Sequence, residues 1–115
     1  MLVFEERKSE IIKNHGFAVF PTQVELVLEE IEEILDAAVL GIRDERKGEI
    51  LAAALVTQTG DKSSIREIIE FCRRRLPFFS IPQRFEFFDS LPYEPSGKLS
   101  RRLLKEMFME RIRQR

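Results

Sequence analysis

Two periodicities of hydrophobic and polar positions alternate along this chain, and together they predict an α+β domain. Apolar residues that recur every three or four positions, with charged residues between them, predict helices over 22–35, 64–76 and from Ser100 onward. Shorter apolar runs bounded by turn residues predict strands. These runs are VFEERKSEII at 3–12, FAVF at 17–20, AAVLGIRD at 37–44, EILAAALVTQ at 49–58 and PQRFEFF at 82–88. The resulting order, ββ-α-ββ-α-β-loop-α, describes a small sheet of short strands with helices packed on it.

Local sequence signals mark where the first two helices begin and where the second ends. Thr22 with Glu25, and Ser64 with Glu67, have the spacing of helix capping boxes. A capping box satisfies free N–H groups in the first turn, so each pair predicts a defined helix start. Pro77 cannot continue a helix and is expected to stop the second one.

Further signals place the turns and the last helix. Gly16, in the segment Asn-His-Gly, and Gly48, in the segment ERKG, are expected in the turns of two hairpins, because glycine adopts positive φ without strain. Ser100 is predicted to cap the last helix. That helix is expected to bury four apolar residues, Leu103, Leu104, Met107 and Phe108.

Composition and charge narrow the class of protein. The chain has 115 residues, which suits one domain, and 43% of them are hydrophobic, which is enough for a modest core. A net charge of −1 provides no field that would attract nucleic acid, and this argues against a nucleic-acid-binding domain. Cys72 is the single cysteine, so no internal disulfide is possible. No apolar run approaches the length of a membrane span, and the charged residues that begin at Glu5 come too early for a signal peptide. A cytoplasmic location is therefore expected.

The segment LPYEPSGKLSRR, at 91–102, contains the most informative polar residue. Lys98 follows a glycine, Gly97, on a loop that Pro92 and Pro95 stiffen. A lysine held in this way presents a compact cation that suits negative charge developing on a phosphate or carboxylate. The same local features also fit a solvated lysine that precedes a helix, which is the commoner role of such a residue.

The sequence contains no metal-ligand spacing and no glycine-rich phosphate loop, and its one histidine, His15, is expected to be a turn residue.

Three segments in a fixed order resemble a known family. They are RKSEIIKNHGFAVFPTQVE at 7–25, GIRDERKGE at 41–49 and the Lys98 segment. Together they are similar to the C-terminal domain of the adenylate-forming enzymes, which include acyl-CoA synthetases, peptide-synthetase adenylation domains and luciferases. The resemblance covers residues 4–105.

The resemblance implies a role in an acid–thiol ligase. Such enzymes use ATP with Mg²⁺ to convert a carboxylate to an acyl-adenylate, and then transfer the acyl group to the thiol of CoA or of a carrier-protein pantetheine, often in fatty acid metabolism. Residues 1–115 would form one C-terminal lid domain, with hinge and small hairpin over 1–20 and an α+β body over 21–115. The N-terminal adenylation domain is missing from this chain, so the isolated chain is expected to bind neither ATP nor CoA and to be inactive.

The resemblance also implies roles for individual residues. Lys98 matches the lysine that contacts the acyl carboxylate and phosphate oxygens during adenylation, with Ser96 and Gly97 supporting its loop. Gly16 matches a hairpin glycine that lines the CoA/pantetheine tunnel, although its position fits an ordinary turn glycine equally well. Ser9 occupies the hinge position, where the family usually has Asp or Lys.

Two further positions depart from the family pattern, and one alternative function stays open. Gln23 replaces the first Glu of the segment P-x-E-[IV]-E, and Ser80 stands where a lysine is common. The clusters at 73–75 and the tail arginines at 111, 113 and 115 are expected to form solvated helix faces, and the tail could instead contact CoA phosphates. The alternative is a free-standing interaction or regulatory module of the same fold that docks on a synthetase or an acyl-carrier protein. A large-domain coding region directly upstream would favour the lid.

Overall fold

A computed structural model describes residues 11–46, 48–58 and 65–114. The strands are β1 (Ile12–Asn14), β2 (Phe17–Val19), β3 (Ile34–Asp44), β4 (Gly48–Thr57) and β5 (Arg84–Phe87). The helices are α1 (Pro21–Glu29), α2 (Ile65–Arg75) and α3 (Arg101–Arg113), and a 3₁₀ turn covers Phe78–Ser80. The predicted order ββ-α-ββ-α-β-loop-α and the α+β class are confirmed.

The strands form two sheets. β1 and β2 make a small antiparallel hairpin, and β3, β4 and β5 make a three-stranded sheet in that order. β3 and β4 are antiparallel, from the pair Ile34 and Thr57 to the pair Asp44 and Gly48, which confirms the predicted hairpin. β5 pairs with β4 in parallel, because α2 carries the chain back before β5 begins.

Both faces of the three-stranded sheet are buried, because successive side chains of a strand point to opposite faces. On one face, β4 contributes Leu51, Ala53 and Leu55 to a cluster that we call the first core. This core also contains side chains of the β1–β2 hairpin, α1 and α2: Ile12, Val19, Val24, Leu28, Ile68 and Cys72. On the other face, the second core joins residues of β3 and β4 to four side chains that follow β5: Phe88, Leu91, Leu104 and Phe108.

The first helix differs from its prediction at both ends. α1 begins at Pro21, a residue suited to the first turn of a helix, and no side chain caps it. The predicted capping box of Thr22 and Glu25 is therefore wrong. The helix ends at Glu29 rather than at Leu35, which lies in β3. The pairing register with β4 shifts between Ile34 and Asp36, so Leu35 occupies an exposed bulge.

The last helix follows its prediction except at one position. The Ser100 hydroxyl accepts the N–H of Leu103 at 3.3 Å, which confirms Ser100 as the cap of α3. Leu104 and Phe108 are buried, and Met107 packs against the second core. Leu103 is 41% exposed, so its predicted burial is wrong.

Several predictions lie outside the described residues. They concern the hinge residue Ser9, the capping box that begins at Ser64, and most of the first predicted strand. Within the described part of α2, Ile68 and Cys72 are buried.

Candidate functional site

The loop between β5 and α3 is a compact turn held by its own backbone. Tyr93 and Leu99 form an isolated antiparallel bridge across it. The N–H of Glu94 donates to the Lys98 carbonyl, and the N–H of Gly97 donates to the Glu94 carbonyl, each at 2.8 Å. The backbone on both sides of Lys98 is therefore fixed within the loop.

Gly97 is required by the conformation of this turn rather than by crowding. Its φ is 93°, and in the part of the chain that the structure describes a Cβ built on it would meet nothing within 4 Å. The side chains of Ser96 and Lys98, on either side of it, are exposed. The N–H of Ser100 donates to the Pro92 carbonyl at 2.8 Å, which closes the base of the turn. Ser96, Gly97 and Lys98 thus share one turn.

Tyr93 connects the N-terminal part of the loop to the start of β3. Its hydroxyl donates to Asp36 Oδ2 at 2.6 Å, and Asp36 Oδ1 accepts the N–H of Ala37 at 2.9 Å. Partial burial of the phenol and its hydrogen bond to Asp36 raise the pKa of Tyr93 to about 12.

Arg101, which follows the C-terminal end of the loop, connects it to β3 and α1. Its Nη1 donates to the Val39 carbonyl at 3.0 Å, and its Nη2 lies 3.4 Å from Glu25 Oε2. The same carboxylate oxygen accepts the N–H of Val39 at 2.8 Å. Burial raises the pKa of Glu25, while the Val39 N–H and the Arg101 guanidinium oppose that rise.

Sequence reasoning missed the pairing of Glu25 with Arg101, although one signal was present. Arg101 opens α3, and a cation at a helix N-terminus is unfavourable because the helix dipole is positive there. Such an arginine needs a specific partner, and Glu25 provides it from 76 residues away. The glutamate predicted to cap α1 instead joins α1 to the loop.

The Gly16 turn is a two-residue hairpin connection. His15 has a φ of 55° and Gly16 a φ of 83°, and positive φ at both central residues is the signature of a type I′ turn. His15 is thus a turn residue, as predicted. Among the described residues, a Cβ on Gly16 would meet nothing within 4 Å, so these residues leave the space beside the turn open.

Aromatic rings and one buried amide hold this hairpin against the 3₁₀ turn. Asn14 is buried and its Nδ2 donates to the Phe79 carbonyl at 2.9 Å. The rings of Phe17 and Phe79 stack with centroids 4.3 Å apart, and Phe78 meets both edge-on. The His15 ring lies 5.4 Å from that of Phe78. Phe17 and Phe78 are largely exposed, so the turn is bordered by apolar surface.

The two candidate regions are anchored on opposite faces of the sheet. Ile12 and Val19, beside the Gly16 turn, belong to the first core. Leu91 and Leu99, beside Lys98, pack in the second core. Gly16 and Lys98 therefore belong to separate loops with separate supports.

Comparison with known proteins places the chain in a family. Residues 23–98 match the family model described as the AMP-binding enzyme C-terminal domain. The chain belongs to this family. The resemblance seen in the sequence is confirmed, and the adenylate-forming enzymes are the superfamily to which this domain belongs.

Relatives and solved structures agree with the assignment. The chain is 39% identical over 103 residues to a fatty acid–acyl-carrier-protein ligase, ScoC, of Streptomyces coeruleorubidus, covering 90% of this chain and 20% of the relative. It is 37% identical over 101 residues to a long-chain-fatty-acid–CoA ligase of Bacillus subtilis, covering 88% of this chain and 18% of that enzyme. The structure of a Mycobacterium tuberculosis fatty acyl CoA synthetase matches with a TM-score of 0.80 at 31% identity, over 87% of this chain and 20% of that one. The chain thus spans about a fifth of the length of these ligases.

In this AMP-binding enzyme C-terminal domain, Arg111 was predicted to lie on a solvated helix face. The structure instead places its guanidinium against β5. Its Nη1 donates to the Phe87 carbonyl and lies 3.8 Å from Glu86 Oε1. The guanidinium also covers the Phe88 ring at 4.3 Å from the centroid. Arg111 therefore fastens α3 to β5. Arg113 pairs on the surface with Glu110 at 2.9 Å.

Two other features of the domain concern metals and membranes. Within residues 11–46, 48–58 and 65–114, no group of three or more His, Cys, Asp or Glu side chains could hold a metal ion. None of the helices in these ranges is long and apolar enough to cross a membrane. Cys72 is buried in the first core, and burial raises the pKa of its thiol to about 11, which keeps it protonated.

Proposed function

We propose that residues 1–115 form the mobile C-terminal lid of an ATP-dependent, AMP-forming acid–thiol ligase. Family membership supports the ligase class, and the coverage of about a fifth of each relative supports a separate N-terminal adenylation domain as the partner. That domain would hold ATP with Mg²⁺ and the acyl group. Residues 1–20 would then contain the hinge, at Ser9, and the small hairpin, and residues 21–115 the body with the lysine loop.

The observation that carries this proposal is the setting of Lys98. Its side chain is exposed, yet its backbone is held by hydrogen bonds on both sides and by the two ties from Tyr93 and Arg101 to the body of the domain. An exposed cation on a held loop is suited to enter an active site on another domain at a reproducible position.

In the first half-reaction, a carboxylate oxygen of the acid attacks the α-phosphorus of ATP, and pyrophosphate leaves. Negative charge builds up on the oxygens around phosphorus and on the leaving pyrophosphate. The Lys98 ammonium would neutralise part of that charge and orient the attacking carboxylate. This is the role that the family resemblance assigns to it.

In the second half-reaction, a thiolate attacks the acyl carbonyl carbon and AMP leaves. We assign Gly16 to the wall of the tunnel that admits the pantetheine arm of CoA or of a carrier protein. The open space beside Gly16 and the apolar rings that border its turn support this assignment. The supports of the two loops lie on opposite faces of the sheet, which suits a lid that rotates to present each loop in turn.

The first acids to test are long-chain fatty acids, because two of the named relatives are described as fatty-acid ligases. The test compares Lys98→Ala with Lys105→Ala in the complete ligase, since both lysines are exposed and only Lys98 lies on the loop. Lys98→Ala should lower ATP–pyrophosphate exchange by on the order of 10²–10³-fold and spare thioester formation from preformed acyl-adenylate. Lys105→Ala should leave both rates nearly unchanged. Equal loss of both half-reactions in Lys98→Ala would contradict the proposal.

A further inference from the structure

Among the residues that the structure describes, β3 is an edge strand of the three-stranded sheet, because it pairs there with β4 along one side only. Its other side presents the N–H groups of Ala37 and Val39 and the carbonyl of Val39, all of which bond to side chains. An uncovered edge of this kind invites pairing with other chains and leaves backbone groups exposed. Here the edge is covered by polar side chains from three different segments.

Glu25 and Arg101 cover the edge as a pair at a single residue. The Glu25 carboxylate accepts the Val39 N–H, and the Arg101 guanidinium donates to the Val39 carbonyl. The two side chains also form an ion pair with each other, and the Glu25 side chain is only 15% exposed. Each partner satisfies the other and one backbone group, so removing either would leave a partly buried polar group without its charge-assisted bond.

The contacts with this edge bracket Lys98. Tyr93 reaches Asp36 from the arm that leads into the turn, and Arg101 reaches Val39 from the residue after the cap that closes it. The loop therefore cannot move away from β3 without breaking at least one of these contacts. Ser100 adds a third constraint, since its hydroxyl fixes the first turn of α3.

We propose that Arg101 is a positioning residue, and that with Glu25 and the Tyr93–Asp36 bond it forms a clamp that holds the Lys98 loop on the edge of β3. This inference rests on the proposed function of Lys98. The clamp would set where the ammonium lies when the lid meets its partner domain. A displacement of about 1 Å at a reacting centre can cost on the order of 10²-fold in rate, so the clamp matters although it touches no substrate.

Arginine is the residue that this position requires. Its planar fork reaches the Val39 carbonyl with one nitrogen and Glu25 with the other. Lysine has three donors on one flexible ammonium and lacks the planar fork, so it would hold the two acceptors less rigidly. Arg101→Lys should therefore behave as a partial clamp, between wild type and a neutral substitution.

The first test measures the loop itself in the 115-residue chain, by amide hydrogen exchange at Glu94, Gly97 and Ser100. Arg101→Met should accelerate exchange at these amides by roughly ten-fold or more, because the loop opens more often. Arg102→Met is the matched control, since Arg102 is the adjacent residue and its described ion pair is an exposed contact with Glu106. Equal exchange in the two variants would overturn the clamp. If Arg101→Met does not fold, Arg101→Lys replaces it, with a smaller expected acceleration.

The second test is a double-mutant cycle in the complete ligase. Arg101→Met alone should lower ATP–pyrophosphate exchange by roughly 10–100-fold while sparing acyl transfer from preformed acyl-adenylate. In the Lys98→Ala background the same substitution should cost less than about two-fold, because a positioning residue acts through the residue it positions. Additive losses, or loss of both half-reactions, would show a general structural role and overturn the inference. If Lys98→Ala alone proves silent, the proposed function fails, and amide exchange then decides the clamp by itself.

Discussion

The Lys98 loop and the Gly16 turn are built alike at the backbone and held by different chemistry. Each contains a glycine at positive φ, and the described residues leave open space where its Cβ would stand. The Lys98 loop is tied to β3 by a phenol, two carboxylates and a guanidinium. The Gly16 turn is held mainly by stacked aromatic rings and one buried amide. Charge-assisted bonds have strict geometry and suit the proposed role of the Lys98 loop in presenting a cation, whereas ring contacts suit the proposed tunnel wall at Gly16.

Among these predictions, the largest effect is expected for a substitution at Gly16. In the complete ligase, Gly16→Leu should lower acyl transfer by on the order of 10²-fold, because its side chain would enter the open space where the pantetheine arm is proposed to pass. Adenylation should be spared. The measurement pairs acyl transfer to CoA with ATP–pyrophosphate exchange on the same preparation.

Gly48 provides a matched control for that experiment. Its φ of 82° equals that of Gly16 within a degree, and among the described residues it too has nothing within 4 Å of a Cβ, but it is the first residue of β4, after the β3–β4 turn. Gly48→Leu should carry a similar backbone strain of about 1–2 kcal/mol and leave acyl transfer intact. If both leucine variants lose acyl transfer to the same extent, strain rather than occlusion is the cause, and the tunnel assignment is withdrawn.

A smaller effect is expected at the amide that docks the Gly16 hairpin. Asn14→Ala removes the bond to the Phe79 carbonyl and should lower the free energy of unfolding by about 1–3 kcal/mol, because Asn14 is buried. Urea denaturation measures this change. Gln58→Ala, at an exposed amide, should stay within about 0.5 kcal/mol of wild type. Equal stability of the two variants would mean that this bond does not hold the hairpin.

The smallest effect concerns the phenol that docks the Lys98 loop. The pKa of Tyr93 is raised from 10.0 to about 12, so the docked loop holds the phenol proton more tightly than the unfolded chain does. The stability that this provides is fully present below pH 10 and is lost as the pH rises through 12. Burial is the largest cause of the raised pKa of Tyr93, and the negative charges of Asp36, Glu29 and Glu25 also raise it.

Tyr93 is the only tyrosine and the chain has no tryptophan, so tyrosinate absorbance reports on this one group. The titration midpoint should lie near 12 in wild type and be lower in Asp36→Asn, which replaces the charged acceptor and leaves the burial of the phenol in place. Circular dichroism at each pH checks that the fold persists. A midpoint near 10 in the wild-type chain would show that the loop is not docked through Tyr93.

Much of this fold follows from local pattern, and its departures have a common cause. The turns at Gly16, Gly48 and Gly97 were predictable because positive φ selects glycine within a few residues of sequence. The roles of Glu25 and Arg111 were not, since each depends on a partner brought close only by the sheet. Thr22 and Glu25 have the T-x-x-E spacing, but the helix begins one residue earlier, at Pro21. The Glu25 side chain is partly buried and bonds to the N–H of Val39, so it does not cap the helix.

The candidate site, too, has features that the sequence predicted and features that only the structure shows. Lys98 and Gly16 were identified through their likeness to a family, and the structure adds how their loops are supported. The parallel pairing of β5 with β4 could not be predicted from strand signals alone, because periodicity does not encode which strand becomes a neighbour. That pairing directs the chain from β5 into the second core, where the Lys98 loop begins.

The most direct test of the central claim measures both half-reactions in one complete ligase that carries Lys98→Ala or Gly16→Leu. The claim is that the two loops serve different steps. The expected result is a crossed pattern, in which Lys98→Ala loses ATP–pyrophosphate exchange and keeps acyl transfer from preformed acyl-adenylate, while Gly16→Leu keeps exchange and loses acyl transfer. The same pattern of loss in both variants, with both proteins folded, would contradict the claim.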